Sequence, residues 1–108
     1  MSDEFDRREE GFEKRFAMSE EKRFRALARR NKALGLWAAE LLGYEGEAAT
    51  AHAVALVQAQ VGRDDVGALA AELGAQFSRA GVDVSPHRIR RKMEEAMAQA
   101  VEDIQAGK

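Results

Sequence analysis

Three isolated glycines and one serine–proline step cut this chain into helix-length pieces, and that punctuation constrains the fold more than any other feature. Gly43, Gly62 and Gly81 each follow a stretch of apolar residues at helical spacing, where a left-handed cap residue ends a helix. Ser85–Pro86 is the clearest start signal, an N-cap followed by proline in the first turn. Pro86 is the only proline in the chain, so nothing interrupts the helical periodicity elsewhere.

Composition points the same way. Apolar residues make up 45% of the chain, yet only eight Leu, seven Val, two Ile, four Met, five Phe and one Trp are bulky. Much of the remainder is Ala, the best helix former, whose small side chain lets helices approach closely. With 108 residues the chain fits one domain with a modest core. The expected fold class is all-α: a four-helix bundle with a flexible, conditionally helical N-terminal arm.

Ser19 is the expected N-cap of the first bundle helix, with Glu20 and Glu21 in its first turn. That helix runs to about Leu42 and carries Phe24, Leu27, Leu34, Ala38 and Leu41 as its buried stripe, with Trp37 beside it. Gly35, inside it, costs up to about 1 kcal/mol of helix propensity and so marks a close helix contact. The second helix spans about 47–61 with Val54, Val57 and Val61 inward. The third, capped by Asp64 or Asp65, turns Val66, Leu69, Ala70, Leu73 and Phe77 inward. The fourth carries Ile89, Met93, Met97, Val101 and Ile104.

Residues 1–18 form the arm and residues 19–108 the bundle. More than half of the arm is charged, with both signs mixed, and Phe5, Phe12 and Phe16 share one helical face at intervals of seven and four. Burying three Phe yields roughly 5–9 kcal/mol. Ordering about fifteen residues costs on the order of 1–2 kcal/mol apiece, and short charged helices are marginal in water. The arm is therefore expected to be largely disordered when free and helical when a partner covers its Phe face. At 100° per residue that face is in phase with Leu27, Leu34 and Leu41, so one continuous helix can form in a bound state. The arm holds no histidine, so no histidine-triggered switch is expected in it.

Several function classes fit poorly. There is no cysteine, hence no disulfide framework or thiolate metal site. The charged start does not read as a secretory signal, and no apolar run is long enough to cross a bilayer, so no direct membrane insertion is expected. His52 and His87 lie at no metal-ligand spacing, and no glycine-rich phosphate loop appears. An enzyme is not expected. Two basic clusters, Lys22 to Lys32 and Arg88 to Lys92, read as solvated faces or as an anion surface. A net charge of −2 disfavours nucleic acid. The nucleotide version of that surface takes Arg29, Arg30, Lys32, Trp37, Arg90 and Arg91. No resident cofactor is expected, and weak ADP or ATP binding is the alternative reading.

One series of residues resembles a known family. It runs Phe5-Asp6-Arg7-Arg8, Gly11-Phe12-Glu13-Lys14-Arg15-Phe16-Ala17, Phe24-Arg25-Ala26-Leu27-Ala28-Arg29-Arg30-Asn31-Lys32 and Leu36-Trp37-Ala38-Ala39-Glu40-Leu41-Leu42-Gly43. It resembles the zeta subunit of alphaproteobacterial F-type ATP synthases, as does Ile89-Arg90-Arg91-Lys92-Met93. Met18-Ser19 departs from the His-Asp-like pair of relatives, and residues 62–76 are richer in Gly and Ala. The resemblance implies an inhibitory subunit whose N-terminal region enters a catalytic interface of the ATPase head and stops ATP hydrolysis. In that role it is similar to the mitochondrial ATPase inhibitor protein. It also implies Phe5, Arg8, Phe12, Lys14 and Phe16 as contacts, the alpha, beta and gamma subunits as partners, and a cytoplasmic place peripheral to the inner membrane.

Overall fold

The computed structural model describes residues 18–108, so the arm's contact residues lie outside the described part. Four helices follow one another: α1 (Glu20–Leu41), α2 (Gly46–Ala59), α3 (Val66–Arg79) and α4 (Pro86–Gln105). Among the described residues there is no strand. The fold is an all-α four-helix bundle.

Local chemistry sets most of the boundaries. The Ser19 hydroxyl accepts a hydrogen bond from the Lys22 amide at 3.2 Å, and Glu20 and Glu21 sit where the helix dipole favours acids. Asp65, rather than Asp64, caps α3 by accepting from the Ala68 amide at 3.0 Å. Ser85 caps α4 through the Arg88 amide at 3.1 Å, with Pro86 as the first helical residue. After α1 the chain turns at Gly43, whose φ of +87° suits a residue without a Cβ. The Tyr44 amide then donates to the Ala39 carbonyl at 2.9 Å and closes the helix end.

α1 is the central element and packs along both α2 and α4, while α3 lies against α4. The main core joins Leu34 and Ala38 of α1, Leu56 of α2, Leu69, Leu73 and Phe77 of α3, and Ile89, Met93 and Ala96 of α4. A smaller cluster of Ala26, Ala100, Val101 and Ile104, covered by Met18 and Met97, ties the start of α1 to the end of α4.

Two helix faces differ from the sequence expectation. In α1 the buried residues are Ala26, Arg30, Asn31, Leu34, Gly35, Ala38 and Ala39; Leu27, Trp37 and Leu41 are half-buried, and Phe24 is 59% exposed. The cause is that α1 has neighbours on two sides, so its small residues are consumed by close packing. In α2 the buried residues are Ala53 and Leu56, whereas Val54 and Val61 are exposed and Val57 half-buried. Here Gly35 brings α1 so near that only alanine fits opposite: a Cβ built on Gly35 would lie 2.6 Å from the Ala53 Cα. The valines are left on the outer side. Val66, at the start of α3, is also exposed. The α3 and α4 faces otherwise follow their sequence stripes, with Ala70 and Met97 half-buried.

Candidate functional site

The bundle presents two recessed surfaces on opposite sides of α1. Helical geometry separates them, because Phe24, Leu27 and Asn31 share one face of α1 while Lys32, Ala33, Leu36 and Glu40 share another.

The first surface is an apolar groove of about 580 Å³. The first three turns of α1 form one wall, and the end of α2 with the following loop forms the other. Phe24, Leu27, Ala28, Val57 and Val61 supply the apolar lining, with Glu20, Arg23, Arg63 and Asp64 at the rim. Val61 is 74% exposed, an unusual state for a β-branched apolar residue beside an exposed Phe. Arg23 pairs with Asp64 across the groove and ties α1 to the loop before α3.

Beneath that wall lies Arg30, 5% exposed, next to Asn31 at 3%. The Arg30 Nε donates to the Asn31 Oδ1 at 3.0 Å. Burial pushes the Arg30 guanidinium below its ordinary range, and the nearby Asp64 carboxylate partly opposes that shift. Among the described residues no buried side-chain nitrogen or oxygen lacks a partner. Arg30, a candidate from the sequence for an anion surface, is thus packed inside the bundle with little of it open to solvent.

The second surface lies between α1 and α4, a groove of about 910 Å³ lined by Arg29, Lys32, Trp37, Lys92, Glu95 and Asp103 among others. A smaller hollow of about 290 Å³ joins Trp37 to Arg88, Arg91, Lys92 and Glu95. Trp37 is held on edge by Phe77, their ring centroids 5.5 Å apart at 82°, leaving one side toward the hollow. Arg29 is partly spoken for: its Nη1 lies 3.7 Å from Asp103, and Nη2 donates to the Lys108 carbonyl. Arg91 lies 3.8 Å from Glu95 one turn on.

So the structure brings together four of the six anion candidates, namely Arg29, Lys32, Trp37 and Arg91. Arg30 is buried, and Arg90 lines neither hollow. Lys92 and Arg88, members of the second basic cluster but outside the six nucleotide candidates, do line them, and the signal was available: positions 88, 91, 92 and 95 share one face of α4, while position 90 does not.

Among the described residues no group of three His, Asp or Glu side chains could hold a metal ion. His52 is half-buried, its Nε2 at 3.0 Å from the Gln76 Oε1 and its ring 5.3 Å from Tyr44, a contact that ties α2 to α3. No described helix is long and apolar enough to cross a membrane. The arm's candidates, Phe5, Arg8, Phe12, Lys14 and Phe16, fall outside the described residues.

Over the described residues, fold and surfaces together define a small all-α bundle with a groove on either side of α1. Its family is clear from comparison: residues 1–103 match the model for ATPase inhibitor subunit zeta, and the chain belongs to that family. No curated protein and no solved structure gives a match.

Proposed function

We propose that this chain is the inhibitory subunit of an F-type ATP synthase and blocks ATP hydrolysis by inserting residues 1–18 into a catalytic interface. The observation that carries this reading is the family match, which begins at residue 1 and so includes the Phe-bearing segment. Helix geometry supports it. α1 starts at Glu20 with Ser19 as its cap, and the chain N-terminal to it can be added as further helical turns once a partner covers Phe5, Phe12 and Phe16. On such a helix Arg8 borders that face and Lys14 lies opposite it, so the two cations meet different surfaces of the catalytic head, made of alpha, beta and gamma subunits, and set register and speed of encounter. The protein acts as a regulator, not a catalyst, on the cytoplasmic side and peripheral to the inner membrane through the synthase. The test is ATP hydrolysis by the purified ATPase with the intact chain and with a chain lacking residues 1–18. Inhibition is expected only from the first, and equal inhibition by both ends the arm mechanism.

A second reading keeps the α1–α4 face in view. The cluster of Lys32, Trp37, Arg91 and Lys92 fits the phosphates and ring of an adenine nucleotide, with the chain as a nucleotide-binding regulatory bundle. Titration of ADP against Trp37 fluorescence tests it without reference to inhibition.

A further inference from the structure

The apolar groove beside Phe24 has no role in either reading, and its setting says what can cover it. We propose that residues 1–17 of this same chain occupy the groove when no partner is bound, with Phe12 as the principal residue seated against Phe24, Val57 and Val61. The inference stands apart from the inhibitory reading and does not need it.

Position is the first argument. The groove begins at Glu20 and Arg23, in the opening turns of α1, where the segment joins the bundle. Met18 packs on the cluster of Ala26 and Ile104, so the entry point is fixed to the body of the protein. Reach is the second. Phe12 lies six residue steps before Met18, about 20 Å of extended chain at 3.3–3.6 Å each. The α1 wall from Ser19 to Asn31 is about 18 Å long at 1.5 Å per residue. Phe12 can therefore reach any point along the groove, whereas Phe16 is held near its mouth.

Chemistry is the third. The groove exposes two large apolar residues, Phe24 and Val61, and the segment carries phenylalanines that water solvates poorly. At the rim Arg63 makes no ion pair among the described residues, and the segment offers Glu9, Glu10 and Glu13 to it. Tethering holds the two at an effective concentration of about millimolar or above, so a weak contact suffices to populate the closed state. A second copy of the chain has to find the same groove by diffusion.

The absence of cysteine allows a direct test. A nitroxide on Glu10→Cys of the full chain should broaden the amide resonances of Val61, Gly62 and Arg63, lowering their intensity at least about twofold. Phe12→Ser in the same labelled chain should restore them. Broadening confined to residues 18–23, or unchanged by Phe12→Ser, overturns the proposal. So does broadening of equal size when the label is on one chain and the isotope on another, which assigns the groove to a second copy. Val61→Ser, at an exposed position where folding is not at stake, should reduce the effect as Phe12→Ser does.

Discussion

Gly35 and Ala53 bring the backbones of α1 and α2 into direct contact: a Cβ on Gly35 would lie 2.6 Å from the Ala53 Cα, 3.1 Å from its Cβ and 3.3 Å from its carbonyl oxygen. The helix propensity scale favours Gly35→Ala by up to about 1 kcal/mol. Overpacking a tight core contact opposes it by about 1–3 kcal/mol, and here the obstructing atom is backbone, which cannot rotate away. With backbone as the obstacle the penalty lies toward its upper end, so the substitution should lower stability by up to about 2 kcal/mol net, read as a lower urea midpoint. Ala53→Gly should fail to rescue it, because the nearest atom is the Cα. A Gly35→Ala protein more stable than the parent would show that the helices part at no cost.

The Arg30–Asn31 pair gives a second prediction. Asn31→Leu removes the acceptor of the buried Arg30 Nε and leaves a charged donor unsatisfied, at a cost of about 1–3 kcal/mol. Arg30→Met with Asn31→Leu removes both partners and should recover much of that loss, since burial already disfavours the Arg30 charge. The sign with pH follows from the lowered pKa. The charged form carries a penalty in the folded state that is fully present at neutral pH and is relieved only as pH rises through the folded pKa. Across pH 6–9 the difference between single and double variants should stay constant in denaturant titrations.

A third prediction concerns a boundary that the sequence made plain. Ser85→Ala leaves the Arg88 amide without its acceptor at the start of α4, and should cost about 1 kcal/mol. Ser85→Asp should keep the cap and gain from the helix dipole. The two variants moving the melting temperature in the same downward direction by the same amount would mean that the cap is irrelevant.

These positions also show what could be read in advance. Ser19, Asp65 and Ser85–Pro86 act on amides three residues away, and such short-range chemistry is legible in a string of residues. The inner faces of α3 and α4 were legible because their bulky residues fall on single stripes. Those of α1 and α2 were legible in part: Leu34 and Ala38 are buried where the α1 stripe puts them. Much of the remaining close packing there is by Ala and Gly, and periodicity counts Phe24, Val54 and Val61 as the better core residues. The close approach of Gly35 to Ala53 leaves the valines outward, and the two neighbours of α1 leave Phe24 outward. Arg30 was illegible for the same reason: nothing local distinguishes it from Arg29, and its burial follows from how α1 sits between α2 and α4. In the α1–α4 groove the helix register decides which cations are gathered, since Lys92 lines the hollow with Trp37 and Arg90 does not.

That register yields the last prediction. If an adenine nucleotide binds beside Trp37, the phosphates need cations that share its hollow, and Lys92 and Arg91 line it while Arg90 does not. A lost charge-assisted hydrogen bond is worth about 1.5–3 kcal/mol, or roughly tenfold or more in affinity. Lys92→Gln should thus weaken ADP binding about tenfold, followed by Trp37 fluorescence, whereas Arg90→Gln should leave it within about twofold. Raising the salt should weaken the parent far more than the Lys92→Gln variant, because screening acts on the charge already removed. Equal effects of the two substitutions would mean that a diffuse basic field, and not the hollow, holds the nucleotide. Both residues belong to one helix and differ by two positions, so general charge loss is matched between them and only the face they occupy is compared.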